Sequence, residues 1–474
     1  MDDGAERDEG KARRKQDDRE GREVLDRLKH TAFDGSVDIS PGTLSARDAR
    51  RVMDFALRLG QELFLCGFDT HAIESSVIAV STQLGLNHLE IDITARTIHL
   101  QYAPPRAAPA SMMRVTRTGA DPRDLRRMAA LHRLVNHVVA GHLDVRRAAD
   151  ALRRIQATPP FWPWWARTAG GGVLAASVTL QVGGSVGAAL TAVAVLTACD
   201  RTGWLLLRYA VPFFFVIATQ AAVAVGLGIV LFQTGLINPY STAVLAANLV
   251  VLLPIVPLMA LPQDGITGYS LMAATRAVNV TTALAGMAAG VVTVAVLVDE
   301  ATADLYAPRI DHAALPVWAG LLVSAIGALG NCVSMGGTRR LLPVALAAGV
   351  LGGTVNMAMA QVVHVPAFAV FCAATALGVA AAVFSPALRV PSAAVIVPGA
   401  AGALLPSLQV YESLTQLSVG RDGAGTAALL ALLSTAAIGV GVVAGNLIGN
   451  ALTRLANRWR PRSGPVRTTA SRSL

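Results

Sequence analysis

The stretch Pro254-Ile255-Val256-Pro257-Leu258-Met259-Ala260-Leu261-Pro262 decides how this chain folds. It ends an apolar segment over 241–261 that can cross a bilayer, which needs about 20 apolar residues. Proline removes a backbone donor and leaves the carbonyl four residues earlier without its helical partner. Such a break is tolerated at membrane depth only where protein or a water-filled cavity satisfies the freed groups. The stretch therefore predicts a discontinuous membrane helix, with breaks at Pro254, Pro257 and Pro262.

The composition places this segment in a membrane protein. The 474-residue chain is 53% hydrophobic and 15% charged, whereas a soluble chain carries about 25% charged residues. We count ten apolar segments, at 167–182, 185–199, 209–232, 241–261, 266–298, 314–332, 341–359, 365–385, 391–409 and 424–453. We therefore expect an all-α polytopic membrane domain over 167–453, which excludes an ordinary soluble enzyme, a fibre and a disordered chain.

The distribution of charge predicts the orientation of these segments. The net charge is +9, and the tail over 454–474 contains arginines but no acidic residue. Ten crossings place this tail on the same side as the N-terminus, while the longest outer loop is acidic around Asp304. This asymmetry predicts that both termini are cytoplasmic. The basic tail favours contact with anionic lipid over binding of nucleic acid.

The ninth apolar segment repeats the pattern of the fourth. It contains Pro398-Gly399-Ala400-Ala401-Gly402-Ala403-Leu404-Leu405-Pro406, again with two prolines eight residues apart. The glycine pairs Gly183-Gly184 and Gly336-Gly337 recur similarly. Five spans per repeat force the two halves into opposite orientations, which predicts two five-helix inverted repeats of the kind found in secondary transporters. Pro398 and Pro406 are then the helix breaks of the second half.

The region before the membrane segments divides into three parts. Residues 1–44 are rich in charge and poor in apolar residues, so we expect them to be disordered. Residues 45–157 combine helical periodicity with two alternating segments, Leu89–Ile93 and Thr97–Tyr102, which predicts a small cytoplasmic α+β domain. Residues 158–166 are rich in tryptophan and proline, which is typical of an interfacial linker.

One arginine within the apolar block is a candidate for substrate binding. Arg276 lies inside the fifth segment, where an arginine costs at least about 2.5 kcal/mol unless it has a partner or a wet cavity. Arg276 could bind a carboxylate or a counter-ion, with Asp264 as a second charged group of the same candidate substrate site. Thr267 and Asn279 add hydrogen-bonding groups. The alternative is that Arg276 and Asp264 form a structural pair.

The soluble region contains one cluster that could form a site. Asp69, His71 and Glu74 lie at the start of a helix, but no metalloprotease, hydrolase or paired-cysteine motif accompanies them. They give little support to catalysis or metal binding, and we expect neither a metal nor another cofactor. The chain also lacks a P-loop, so it is not itself an ATP-driven pump.

Three blocks of sequence resemble a known family. The first block is the run Ala56-Leu57-Arg58-Leu59-Gly60-Gln61-Glu62-Leu63-Phe64-Leu65-Cys66-Gly67-Phe68-Asp69-Thr70-His71-Ala72-Ile73-Glu74. It resembles the opening of the bacterial threonine/serine exporter family. Phe68 replaces the usual Ala, and Ala72-Ile73 stand where Arg-Val is typical. The block Leu261–Tyr269, followed by Arg276, and the block from Val397 to Tyr411 are similar to the second and third family blocks. The resemblance implies export of threonine and serine driven by the proton motive force, and it adds Tyr411 to the candidate substrate-binding residues.

From the residues alone, the chain is best interpreted as a secondary transporter, not an enzyme. A membrane-tethered hydrolase that uses residues 45–157 is one alternative, and a channel or sensor gated by that domain is another. The expected partners are a small-molecule substrate, protons and membrane lipid. The sequence leaves a homo-oligomer open.

Overall fold

The computed structural model describes residues 28–29, 31, 33, 35–37, 44–103, 108–116, 124–234, 241–297, 315–419 and 424–459. The predicted tail over 454–474 and the acidic loop around Asp304 fall largely or wholly outside these residues.

The N-terminal unit (residues 44–157) contains four helices and one sheet in the part that the structure describes. The helices are α1 (Ala46–Leu65), α2 (Thr70–Gln83), α3 (Leu125–Val139) and α4 (Val145–Ala157). The strands are β1 (Leu89–Ile93), β2 (Thr97–Tyr102) and β3 (Ala110–Val115), paired antiparallel in that order. Side-chain oxygens of Ser45, Asp69, Asp124 and Asp144 accept backbone N–H groups at the four helix starts.

The sheet packs through one face. Ile98, Leu100 and Tyr102 alternate along β2 and are buried, as the alternating sequence predicts. Leu28, Phe33 and Val37 are also buried in the same core, although they belong to the segment 1–44 for which the sequence predicts disorder. This core is continuous with buried residues near the ends of the membrane helices, such as Met335 and Val395.

In the described residues that follow the N-terminal unit there are thirteen further segments, twelve of them α-helical. They are α5 (Trp164–Gln181), α6 (Val186–Arg208), α7 (Phe213–Gln233), α8 (Ser241–Val251), α9 (Ile255–Ile266), α10 (Ser270–Leu297), α11 (Val317–Ser334), a 3-10 turn (Arg339–Leu341), α12 (Leu342–Val362), α13 (Pro366–Leu388), α14 (Ala393–Ala403), α15 (Ser407–Val419) and α16 (Ala424–Trp459). Among the described residues, seven helices are long and apolar enough to cross a membrane, or nine if each bent pair forms one span. The chain is therefore a mostly helical polytopic membrane protein. Helix α5, which corresponds to the first of the ten predicted crossings (167–182), is not among these candidates, and its crossing remains a prediction.

Two membrane segments are bent, and each is the fourth of five. Helices α8 and α9 meet at an angle of 59°, and helices α14 and α15 meet at 61°. We call these pairs the first and second bent spans. The bends lie beside Pro254 and Pro406, whereas Pro257, Pro262 and Pro398 lie inside α9 and α14. Pro257 occupies the first turn of α9, where a missing N–H costs no helical bond. The sequence therefore predicts which spans are broken, but places three of the five breaks where helix continues.

Corresponding helices pack in the same way in the two halves, α5–α10 and α11–α16. The first helix contacts the second and the first part of the bent span, and the third helix contacts the fifth. Helices α5 and α11 both have 18 residues, and each is followed by a glycine with positive φ, Gly183 and Gly336. Helices α5 and α11 also pack against each other, so the two halves meet through equivalent elements.

Candidate functional site

Two turns meet where the N-terminal unit contacts the first bent span. The turn after α1 uses Gly67 at φ +83°, and the turn after α9 uses Gly268 at φ +92°. In each turn, the next residue donates its N–H to the carbonyl five residues earlier, from Phe68 to Leu63 and from Tyr269 to Asp264. This is the Schellman type of helix end, for which glycine is suited because it adopts positive φ without a Cβ clash. Both turns thus hold backbone polar groups in a fixed geometry.

A buried ion pair joins the two turns. Arg276 Nε donates to Asp264 Oδ2 at 2.7 Å, and Thr70 N donates to Asp264 Oδ1 at 2.9 Å. Arg276 Nη2 donates to the carbonyl oxygen of Phe68 at 3.0 Å. Asp264 is fully buried, and Arg276 is 8% exposed. Because one guanidinium bridges the carboxylate of α9 and the backbone of the N-terminal unit, this pair holds the two parts together.

The energetic consequence follows from the burial. Removing a charge from water costs several kcal/mol, and an ion pair offsets that cost only when its hydrogen bonds are satisfied. Both oxygens of Asp264 have donors here. The structure therefore contains the Arg276–Asp264 pair that the sequence analysis gives as an alternative to substrate binding. Both residues of the pair also bind backbone groups of the N-terminal unit.

A second contact lies beside the ion pair. The hydroxyl of Tyr269 donates to Glu74 Oε2. Burial and the neighbouring Glu74 raise the pKa of Tyr269, so the hydroxyl remains a donor. We call Phe68, Asp69, Thr70 and Glu74, together with Asp264, Tyr269 and Arg276, the docking interface.

Asp69 occupies the start of α2 within this interface. Its Oδ1 accepts the N–H of Ala72 at 2.8 Å, which caps the helix. Burial raises the pKa of the Asp69 carboxyl, the hydrogen bond from Ala72 opposes this, and the negative charge of Asp264 adds to it. His71 and Arg276 oppose it more weakly. The predicted cluster of Asp69, His71 and Glu74 thus lies against the membrane helices. Among the described residues, no group of three His, Cys, Asp or Glu is placed to hold a metal ion.

The N-terminal unit also contacts the second half. Leu125 N donates to the carbonyl of Met335 at 2.8 Å, at the end of α11. In the linker, Trp162 Nε1 donates to Gly337 O at 2.6 Å. The unit therefore touches both halves, through the α9–α10 turn of the first and the turn after α11 of the second.

Amide side chains surround the second bent span. Because Pro406 lacks an N–H, the carbonyl of Gly402 has no helical partner, and Gln181 Nε2 donates to it at 2.7 Å. Asn356 Nδ2 donates to Ala403 O, and Asn331 Nδ2 donates to Val397 O, both at 3.4 Å. Neutral donors from α5 and α12 thus satisfy carbonyls at the end of α14 that the bend leaves without helical donors. The donor from α11 adds a contact to a carbonyl in the middle of the same helix.

The other predicted substrate-binding residues lie elsewhere. Thr267 is exposed, and its hydroxyl donates to Gln263 O of its own helix at 2.8 Å. Asn279 is exposed on α10. Tyr411 is buried in a hydrophobic cluster that includes Leu245 and Met287. The structure brings together Asp264, Arg276 and the Asp69–Glu74 cluster. Thr267 reaches the backbone carbonyl of Asp264, at 3.4 Å, and none of the contacts described above for this set involves Asn279 or Tyr411.

Sequence reasoning missed two features of the site. It treated Asp69–Glu74 and Asp264–Arg276 as separate candidates, although they form one interface. It also passed over Gln181, for which the available signal was a lone amide at the end of an apolar segment beside Gly183.

The bent spans, the helical membrane domain and the docked N-terminal unit define a polytopic transporter. Comparison with known families makes this specific. The chain belongs to the ThrE family, described as "Putative threonine/serine exporter", whose profile matches residues 54–298. That match includes both sides of the docking interface and the first bent span. The family is one of transporters, not of enzymes.

Two curated relatives carry related names. The chain is 30% identical over 251 residues to a "Probable threonine/serine exporter" of Mycobacterium tuberculosis, a match that covers 53% of this chain and 47% of the relative. It is 26% identical over 250 residues to a "Threonine/serine exporter" of Corynebacterium glutamicum, covering 51% and 50%. The chain thus spans about half the length of the curated relatives it matches. No solved structure matches the chain.

Proposed function

We propose that this protein is a secondary active exporter of small neutral amino acids, threonine and serine, across the cytoplasmic membrane. The observation that carries the proposal is the family match over 54–298, together with relatives whose names state this activity. We further propose that export is coupled to the proton motive force. The chain's own carboxyl groups at the docking interface are suited to such coupling, because they lie beside a helix of the first bent span.

We propose that the two halves are inverted repeats. The support is the matched packing of corresponding helices, the equal lengths of α5 and α11, and a bend of about the same angle in each fourth span. Two five-span halves run in opposite directions through a membrane, as in many secondary transporters. Alternating access would then use the two bent spans as its moving parts.

We place the substrate site between the two bent spans. A zwitterionic amino acid needs hydrogen-bond donors for its carboxylate and acceptors for its ammonium group. Gln181, Asn331 and Asn356 supply amides next to this site, and each amide donates to a backbone carbonyl of α14. The sequence-based alternative places Arg276 and Asp264 on the substrate. Their contacts with Phe68 and Thr70 favour a docking role instead.

Both termini are proposed to face the cytoplasm, because the arginine-rich tail and the N-terminal unit lie at the two ends of the proposed ten crossings. Thiol labelling of three single-cysteine variants, Ser36→Cys, Asp304→Cys and Ser471→Cys, tests this orientation. An impermeant thiol reagent should label only Asp304→Cys in intact cells. Labelling of Ser36→Cys in intact cells contradicts the orientation.

Counterflow in proteoliposomes tests the function. Vesicles loaded with unlabelled threonine should accumulate labelled threonine and serine, and a pH gradient should drive uphill movement. Flux that only equilibrates along the substrate gradient would identify a channel. Absence of threonine and serine movement in vesicles that contain folded protein would overturn the proposal.

A further inference from the structure

The docking interface holds more negative than positive charge. Asp69, Glu74 and Asp264 contribute three carboxyl groups, whereas Arg276 is the guanidinium that bridges the two sides. His71 is the other titratable group that acts on Asp69. Like charges that share a partly desolvated site disfavour full ionisation. The docked state therefore favours retention of a proton on one of these carboxyl groups.

The contacts distinguish the three carboxyl groups. Asp264 accepts from a guanidinium and from a backbone N–H, so its ionised form is well compensated. Glu74 accepts from the hydroxyl of Tyr269. Within the described residues, Asp69 receives one hydrogen bond, from the N–H of Ala72, and it faces the negative charge of Asp264. Asp69 thus has fewer donors than Asp264 and as many as Glu74, and the nearby charge of Asp264 singles it out as the group that retains the proton.

We propose that the docking interface is a proton-linked latch on the first bent span, with Asp69 as the group that carries the proton. While the Gly67–Thr70 turn is docked, Asp69 is a neutral carboxylic acid. When the turn leaves, the O–H bond of Asp69 breaks, the carboxylate remains on the N-terminal unit, and the proton passes to cytoplasmic water. The proposal deepens the proposed export function, on which its physiological meaning rests.

The position of the latch gives the proton a mechanical effect. Asp264 lies near the C-terminal end of α9, which is one arm of the first bent span. Docking fixes that end through Thr70 N and through Arg276. When the Gly67–Thr70 turn leaves, the C-terminal end of α9 loses these contacts and can move. The N-terminal unit also contacts the turn after α11, so docking restrains both halves at once.

The sign of the pH effect follows from linkage. A carboxyl group with a raised pKa in the docked state binds more protons there than in the undocked state. Docking is therefore strongest at low pH and weakens as the pH rises through the interval between the two pKa values. In that interval, one linked proton changes the docking equilibrium by up to about tenfold per pH unit.

Hydrogen–deuterium exchange of the Thr70 amide measures docking directly, because this N–H donates to Asp264. The full-length protein in detergent is compared over roughly pH 5 to pH 9, a range that brackets a raised carboxyl pKa. Rates are corrected for intrinsic chemical exchange. We expect the protection of Thr70 to fall with rising pH in the wild type. We expect it to stay high and independent of pH in Asp69→Asn, which keeps the helix cap.

Three further variants make the test decisive. Asp54→Asn removes an exposed carboxylate of α1 and should follow the wild type, as should His71→Gln. If Asp69→Asn does not fold, Asp69→Ser supplies a neutral cap in its place. A pH response that persists in the folded Asp69 variant, that vanishes in His71→Gln, or that is missing from the wild type overturns the proposal. Because the readout needs no transport, failed counterflow would overturn the function and leave the latch standing.

Discussion

The two bent spans have almost the same angle, 59° and 61°, but different surroundings. The first ends in a charged carboxylate that is bound by Arg276 and by the N-terminal unit. The second is surrounded by neutral amides from neighbouring membrane helices. A contact made by a separate unit can be released as a whole, whereas contacts among neighbouring helices change only when the bundle repacks. We therefore propose that docking of the N-terminal unit controls the first bent span, whereas movement of the second requires repacking of its neighbouring helices.

The largest expected effect is loss of the charge partner at the first bent span. Asp264→Asn leaves Arg276 buried beside a neutral amide, which should lower stability by about 3–5 kcal/mol. The double variant Asp264→Asn with Arg276→Gln should recover much of this loss. Thermal unfolding in detergent measures both. Arg58→Gln, which removes an exposed pair with Asp54, is the control and should cost at most about 1 kcal/mol. Equal stability of Asp264→Asn and Arg58→Gln would show that the buried pair does not hold the N-terminal unit.

A close backbone contact in the second bent span should give the next largest effect. A Cβ at Gly402 would lie 2.5 Å from Ser324 O of α11, so Gly402→Ala should cost about 1–3 kcal/mol. Gly226→Ala on α7 meets nothing within 4 Å and should be neutral or slightly stabilising. Thermal unfolding of the two variants and the wild type measures this difference, and Gly402→Ala should have the lower melting temperature. A Gly402→Ala protein as stable as Gly226→Ala would mean that α14 moves readily against α11.

The amides of the second bent span should give smaller effects. Gln181→Leu leaves the carbonyl of Gly402 without its donor, at a cost of about 1–3 kcal/mol. Asn356→Leu removes a longer contact of 3.4 Å and should cost less. Chemical denaturation of both variants, compared with the wild type, tests the order. The reverse order would contradict the role given to Gln181.

Sequence reasoning finds the parts of this protein that depend on local pattern. Composition and Pro254 predict the polytopic fold and the first bent span, and Pro406 predicts the second. The strands at Leu89–Ile93 and Thr97–Tyr102 have the predicted bounds because alternation over five or six residues is a strong signal.

The rest depends on contacts between distant residues. Thr70 and Asp264 are 194 positions apart, and no periodicity links them. Helix α6 runs to Arg208, beyond the predicted end at 199. The charged residues in this extension have partners that are distant in sequence or next to them: Arg201 lies 4.4 Å from the centroid of the Trp164 ring and is paired with Asp200. Leu28, Phe33 and Val37 are too widely spaced in a charged segment to signal burial before the core is known.

The most direct test of the docking role of Arg276 is the threonine concentration that half-saturates exchange by Arg276→Lys in proteoliposomes. Lysine keeps the charge beside Asp264 but lacks the planar fork that reaches both Asp264 and Phe68 O. If the pair docks the N-terminal unit, this concentration should equal that of the wild type, while export driven by a pH gradient should fall. An increase of about tenfold or more, equivalent to about 1.4 kcal/mol of lost substrate binding, would place Arg276 on the substrate and contradict the docking account.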